Sequence, residues 1–128
     1  NYMNFQDYNT LSTVINDTFG KSYESKPGTL KCSVQIVGEG KLKMTAISVV
    51  NLLTRSNMQL ASRESEAELQ KLTNECLKRI KKDFKEQAGR ALKTKELSSD
   101  MSVELINMNS YSDKGTALVR QIHVFEIS

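Results

Sequence analysis

The sequence predicts an α+β fold: a two-layer sandwich in which an antiparallel four-stranded sheet, made of two hairpins, packs on one long helix. Two observations lead to this prediction. Residues 30–53 and 102–128 have strand patterns interrupted by turn residues, and residues 65–95 repeat apolar side chains with the period of a helix. A short helix comes first, so the order is α-ββ-α-ββ. A chain of 128 residues has the length of one core, and we expect residues 1–128 to form a single domain.

The first predicted element is a short amphipathic helix over residues 5–19. Asn4 can cap its start, and Gly20 stands where a helix commonly ends in a left-handed residue. The apolar side chains recur at spacings of three and four: Phe5, Tyr8, Leu11, Ile15 and Phe19.

The first hairpin is predicted from strict alternation. Residues 30–36 place an apolar side chain at every second position, and Gly38-Glu39-Gly40 supplies a turn with two residues free to adopt positive φ. The second strand starts near Leu42 and runs towards Leu53. Its alternation is lost near Ile47, which indicates either a bulge or burial on both faces. Residues 54–62 fit the end of this strand or the start of a helix.

The long helix is the strongest predicted element, from about Ser65 to Lys95. Ser65 and Glu68 match a capping box, and Ser62 is an alternative cap. Ser98-Ser99-Asp100 is predicted to break the helix. We expect five of its apolar side chains to be buried, namely Leu69, Leu72, Cys76, Ile80 and Phe84. Their expected contacts on the sheet are Val34, Ile36, Met44, Leu105, Val119 and Val124.

The second hairpin is predicted to start near Val103, to turn at residues 111–115 with Gly115 in a left-handed conformation, and to end near Ile127. Several strands carry apolar residues on both sides, as Val124 and Phe125 do. Because one helix shields only one face of a sheet, something must cover part of the second face. Either the N-terminal helix or a second copy of the chain could do so, and we favour self-association.

The sequence lacks the residue groups that catalysis and metal binding need, so we expect no enzymatic activity, no cofactor and no metal. Its one histidine, His123, has no partner motif; it either points to solvent or packs in the core with one hydrogen bond. The segment Gly38-Glu39-Gly40-Lys41 is not a phosphate-binding loop, because its glycines join two strands. No apolar run reaches the length of a membrane span, and we expect no membrane partner.

The two cysteines, Cys32 and Cys76, belong to no CxxC or CxH pair. Both occupy apolar positions, which favours two buried free thiols. A disulfide between them is the alternative if the helix crosses that strand.

A lysine-rich face is the one feature that indicates a specific partner. The segment 78–95 holds eight basic and two acidic residues, a net charge of +6. These side chains could contact nucleic acid phosphates or another anionic partner, or they could simply complement the helix dipole and form i,i+4 pairs. Five lysines of the predicted helix project within about 80° of one another at 100° per residue: Lys71, Lys78, Lys82, Lys85 and Lys93.

These observations favour a non-enzymatic structural or assembly protein that acts by oligomerisation or protein docking. Edge strands available for pairing are the main reason. The profile fits a viral or phage structural component, and we expect a cytoplasmic or other intracellular location, or a place in a virion. The alternative is a nucleic-acid-binding accessory protein that uses the lysine-rich face. The α-ββ-α-ββ order is similar to that of several small interaction modules, but no motif assigns a family.

Overall fold

The computed structural model describes residues 3–19, 27–54, 57–108 and 114–128. Its four strands form one antiparallel sheet in the order β1-β2-β4-β3. The predicted α+β architecture, with the order α-ββ-α-ββ, is confirmed. The elements are α1 (Phe5–Thr18), β1 (Leu30–Val37), β2 (Lys41–Leu52), α2 (Met58–Ala88), β3 (Thr94–Met108) and β4 (Gly115–Ile127).

Helix α1 begins at the predicted cap. The Asn4 side chain accepts a hydrogen bond from the Asp7 N–H at 2.8 Å, and the Asp7 carboxylate accepts one from the Asn4 N–H at 3.2 Å. This reciprocal pair satisfies two backbone donors that the first helical turn would otherwise leave free. Gly20, the predicted C-terminal cap, lies outside the described residues.

The hairpin of β1 and β2 has the predicted turn, with Gly38 at φ 57° and Gly40 at φ 69°. Strand β2 pairs with β4 along its whole length without a register shift, so the alternative of a bulge near Ile47 is wrong. Burial on both faces is confirmed, because four consecutive residues, 46–49, are all buried. This strand is central in the sheet and therefore has neighbours on both sides.

Helix α2 starts earlier and ends earlier than predicted. It begins at Met58, so Ser65 is a buried residue inside the helix and not its cap. It ends at Ala88, where Gly89 adopts φ 73° and donates its N–H to the Lys85 carbonyl at 3.0 Å. Glycine enters this left-handed conformation at little cost, so Gly89 terminates the helix instead of weakening its middle.

Strand β3 starts at Thr94 and contains Ser98-Ser99-Asp100, the predicted helix break. The local turn preference of these residues is overridden because β4 supplies hydrogen-bonding partners along the strand. The β3–β4 register shifts at two places, which leaves Leu97 and Ile106 without a directly opposed residue, and both are exposed. Residues 111–113 of the predicted turn lie outside the described part of the chain, and Gly115 is the first residue of β4.

One face of the sheet, called here the first face, packs against both helices. Val34, Met44 and Val119 are buried there as predicted, and Leu105 is half-buried on the same face. Val124 is placed wrongly by the prediction, because it is opposite Lys43 on the other face. From α2, Leu69, Ile80 and Phe84 are completely buried, while Leu72 and Cys76 are half-buried.

The N-terminal helix lies on the same side of the sheet as α2. Its side chains Leu11, Val14 and Ile15 share one core cluster with Ile80 and Phe84, and α1 packs against α2 and β1. The idea that α1 covers the second face is therefore wrong. On that second face a separate cluster is formed by Ile47, Val49 and Leu118.

An ion pair joins the start of α1 to the segment after α2. Arg90 Nη2 donates to Asp7 Oδ2 at 2.7 Å, and the Arg90 guanidinium lies 5.5 Å from the centre of the Phe84 ring. The hydrogen bond from Arg90 holds the pKa of Asp7 below its usual value, with further help from the Asn4 N–H. This contact fixes the position of α1 relative to the end of α2.

Replacing Ile80 by alanine should lower the free energy of unfolding by about 2–5 kcal/mol, because it removes a completely buried side chain and leaves a cavity. Urea denaturation monitored by circular dichroism measures the loss. Lys82→Ala, at an exposed position of the same helix, is the control and should change stability by less than about 0.5 kcal/mol. An Ile80→Ala loss as small as that of the control would contradict the packing of α2 on the sheet.

Replacing Asp7 by asparagine should destabilise the protein at neutral pH and lose this effect in acid. The folded-state pKa of Asp7 is lowered, so its ionised form stabilises the fold above the unfolded-state value near 3.9, and the contribution disappears as pH falls through the folded-state pKa. Denaturant titrations of both proteins at about pH 7 and about pH 2 measure this difference. If Asp7→Asn lowered the free energy of unfolding equally at both pH values, the charge of Asp7 would not be what stabilises its contact with Arg90.

Candidate interaction surfaces

The five lysines of the predicted basic face do not stay together. Lys71, Lys78, Lys82 and Lys85 are exposed on α2, and their helical spacing places them on one side of it. Lys93 is exposed but lies beyond the end of α2, where its backbone N–H and carbonyl pair with Ser128. The predicted placement of Lys93 on the helix is therefore wrong, because Gly89 ends the helix first. We call the remaining four residues the lysine ridge.

An acidic side chain borders the lysine ridge. Glu75 is exposed and projects about 40° from Lys71 at 100° per residue, at the edge of the same face. Next to the ridge, the exposed Arg79 and the half-buried Asp83 form an ion pair at 3.9 Å, which contributes little energy. The surface thus offers separate positive points along a helix and not a continuous positive groove.

Strand β3 forms one edge of the sheet. Its only neighbour in the strand order is β4, so its other side presents backbone donors and acceptors without a partner strand among the described residues. Residues 95–100 are all exposed. Between the two register shifts, residues 98–105 pair regularly with β4, and this regular stretch is long enough to pair with another strand.

Side chains of this regular stretch alternate between the two faces. Met101 and Val103 pack against the core on the first face, whereas Asp100 and Glu104 are exposed on the second face. Arg120 of β4 donates to the Glu104 carboxylate at 2.7 Å. Along this stretch the second face is therefore acidic, whereas the first face is apolar and meets the core.

His123 is buried on the first face, beneath α2, with two polar partners. Its Nδ1 lies 2.5 Å from Glu96 Oε1 and its Nε2 lies 2.8 Å from Gln121 Oε1. The ring stacks on Phe125, with centroids 5.9 Å apart. Of the two predicted alternatives the buried one is confirmed, with two polar partners in place of one. Because both ring nitrogens are occupied within the chain, this arrangement stabilises the core and leaves neither nitrogen free for a ligand.

Neither the full length of the β3 edge nor the partners of His123 were predicted from the sequence. The signal for β3 was present, because the alternation of Val103 and Leu105 with polar residues continues back to Met101. The signal for His123 was its position, two residues from both Gln121 and Phe125, which puts all three on one face of β4. Glu96 could not be found in this way, since its approach depends on the bulge at Leu97.

A cleft of about 740 Å³ opens where the start of α1, the β1–β2 turn and the end of β4 meet. Tyr8 reaches into this region, and its hydroxyl accepts a hydrogen bond from the Gly40 N–H at 2.8 Å. Lys41 and Glu126 line the cleft as a cross-strand pair of opposite charge. The cleft therefore lacks the concentrated charge of one sign that an ionic ligand would need.

Among the described residues, no group of three or more histidine, cysteine, aspartate or glutamate side chains could hold a metal ion. Neither described helix is long and apolar enough to cross a membrane. No known protein family, curated protein or solved structure matches this chain.

Proposed function

We propose that the protein is a non-enzymatic assembly module that associates with a second copy of itself through the edge of β3. The observation that supports this proposal is a 15-residue edge strand, exposed over residues 95–100, that has a partner on one side alone in the described sheet. An exposed edge of this length is a template for another strand.

A two-fold axis perpendicular to the sheet would pair β3 with its copy in antiparallel orientation and join the two sheets into one of eight strands. Two registers place the two-fold axis near the middle of the regular stretch 98–105. Both keep the first faces of the two copies on the same side of the joined sheet. A register centred on Ser102 places Asp100 opposite Glu104 of the second copy. Like charges directly opposite each other are unfavourable, so this register is disfavoured.

A register centred on Met101 avoids this repulsion. It places Ser98 opposite Glu104 of the second copy, and Asp100 opposite Ser102, so every acidic side chain of the stretch meets a serine. Short hydroxyl side chains can donate hydrogen bonds to carboxylates in such cross-strand positions. We therefore expect the dimer to form around Met101.

The charge at residue 98 should control the strength of this dimer. Ser98→Lys creates an opposite-charge pair with Glu104 of the second copy, twice per dimer, and should tighten association by about two- to tenfold. Ser98→Asp creates like-charge pairs and should weaken association by a similar factor. Light scattering after gel filtration over a wide concentration range measures the shift between the 14.4 kDa chain and twice that mass.

Residue 98 is a suitable site for a charge because it is exposed and the residue opposite it on β4 is the uncharged Val124. Both substitutions should therefore leave the free energy of unfolding within about 0.5 kcal/mol of the wild type. The matched control is Gln35→Lys and Gln35→Asp at an exposed position of β1, the other edge, where neither charge should alter the dimer. A mass of 14.4 kDa for wild type and Ser98→Lys at every concentration would contradict the proposal.

A second candidate function is binding of nucleic acid by the lysine ridge. The observation that favours it is the exposure of all four ridge lysines on one side of α2. Their spacing matters because lysines at positions 78, 82 and 85 repel one another on an isolated helix, and an anionic partner would relieve that repulsion. Such binding would depend on phosphates and not on base sequence.

Gel-shift titrations with duplex DNA test this second candidate. Affinity should fall steeply with salt, with log K declining by about 0.9 per log unit of salt for each phosphate neutralised. Replacing Lys78, Lys82 and Lys85 by alanine should flatten the slope, whereas replacing Lys41, Lys43 and Lys95 on the sheet should leave it unchanged. The absence of a complex at tens of micromolar protein in low salt would eliminate this candidate.

A further inference from the structure

Both cysteines of the chain lie at one crossing, where α2 passes over β1. Cys32 is on the first face of β1, and Cys76 is on the apolar stripe of α2 that packs against the same core cluster. The two thiols are free, and each shifts the pKa of the other. They are 44 positions apart in the chain, so this contact is created by the fold and not by local sequence.

The two thiols differ in accessibility. Cys32 is buried, with 5% of its surface exposed, and its Sγ lies 3.8 Å from the Ser33 carbonyl oxygen. Cys76 is only half-buried, so solvent and small oxidants can reach it. One thiol of the pair can thus meet a reagent from outside, while the other is kept beneath it.

The interaction between the two thiols also makes the two sulfur atoms chemically unequal. The neighbouring Cys32 thiol lowers the pKa of Cys76, and the positive charge of Arg79 acts in the same direction, although burial and Glu75 oppose them. The neighbouring Cys76 thiol, together with burial, raises the pKa of Cys32. Since the thiolate is the nucleophilic form of cysteine, the accessible sulfur is also the more reactive one.

We infer that Cys76 and Cys32 form a redox pair, in which Cys76 reacts first with a peroxide and Cys32 then closes an intramolecular disulfide. In the first step the Cys76 thiolate attacks one oxygen of hydrogen peroxide, the O–O bond breaks, and Cys76 sulfenic acid and hydroxide result. In the second step the Cys32 sulfur attacks the Cys76 sulfur. The S–O bond breaks, and the departing hydroxide takes the Cys32 proton and leaves as water, while the hydroxide of the first step takes up the proton that Cys76 lost on ionisation.

The balance is two thiols and one hydrogen peroxide giving one disulfide and two waters. Sulfur is oxidised and peroxide oxygen is reduced, so no other co-reactant is needed. A dithiol reductant would reverse the reaction by thiol–disulfide exchange. The new bond would tie α2 covalently to the edge strand β1, next to the contact of α1 with both elements. It would form on the side of the sheet away from β3, so the inference is independent of the proposed dimer.

The test treats the reduced full-length protein with about one equivalent of hydrogen peroxide and follows its intact mass without reductant. The wild type should lose about 2 Da, the mass of two hydrogen atoms, and proteolysis without reductant should give a single peptide that joins Cys32 to Cys76. Reduction should restore the original mass. Thermal unfolding of the oxidised protein should occur at a higher temperature than that of the reduced protein.

Two variants separate the roles of the sulfur atoms. Cys32→Ala should stop at the sulfenic acid of Cys76, which dimedone traps, and Cys76→Ala should react at least about tenfold more slowly because Cys32 is buried. Unchanged wild-type mass, a gain of oxygen without cross-linking, or disulfides only between two chains would each overturn the inference. The wild-type measurement decides even if a variant folds poorly.

Discussion

Three completely buried side chains, Leu69, Ile80 and Phe84, bind α2 to the first face of the sheet, and the other structural features follow from that contact. The helix spans 31 residues and reaches all four strands. Because it covers one face, α1 finds its apolar contacts beside it, on α2 and β1, and not on the opposite face. Helix α1 therefore lies on the first face, because α2 and β1 leave apolar surface accessible there.

The core under α2 is divided by polar side chains. One apolar cluster contains Ile80 and Phe84, another contains Leu69, and Thr73 lies between them on the helix. On the sheet, Gln121 and His123 are buried at the corresponding level. The Thr73 hydroxyl has no hydrogen-bond partner among the described residues. These polar side chains thus separate the two apolar clusters beneath the helix.

Local signals explain which parts of the fold could be predicted. The cap at Asn4 and the glycine turn at residues 38–40 are decided by neighbours within four positions, and both were found from sequence. The start of β3 was missed because Ser98-Ser99-Asp100 has a local turn preference that pairing with β4 overrides. Lys93 was placed on the helix because Gly89 can either interrupt a helix or end it, and its left-handed backbone decides that.

The candidate surfaces were only partly predictable for the same reason. Exposure of the lysine ridge follows from helical periodicity, whereas the closeness of Cys32 and Cys76 requires knowing that α2 crosses β1. Likewise, the sequence indicates four strands but not their order, and the order makes β3 an edge. Edge strands cannot be recognised from alternation alone, because a strand has the same period in the centre of a sheet and at its edge.

The two edges of this sheet have different surroundings, which is why the proposed dimer uses β3 and not β1. Strand β1 has eight residues and contacts both helices, and its Cys32 and Val34 belong to the main core cluster. Another strand added there would have to approach beside α1. Strand β3 is 15 residues long, and α1 packs against α2 and β1 at the far side of the sheet. A second copy can therefore reach the backbone of β3 without moving either helix.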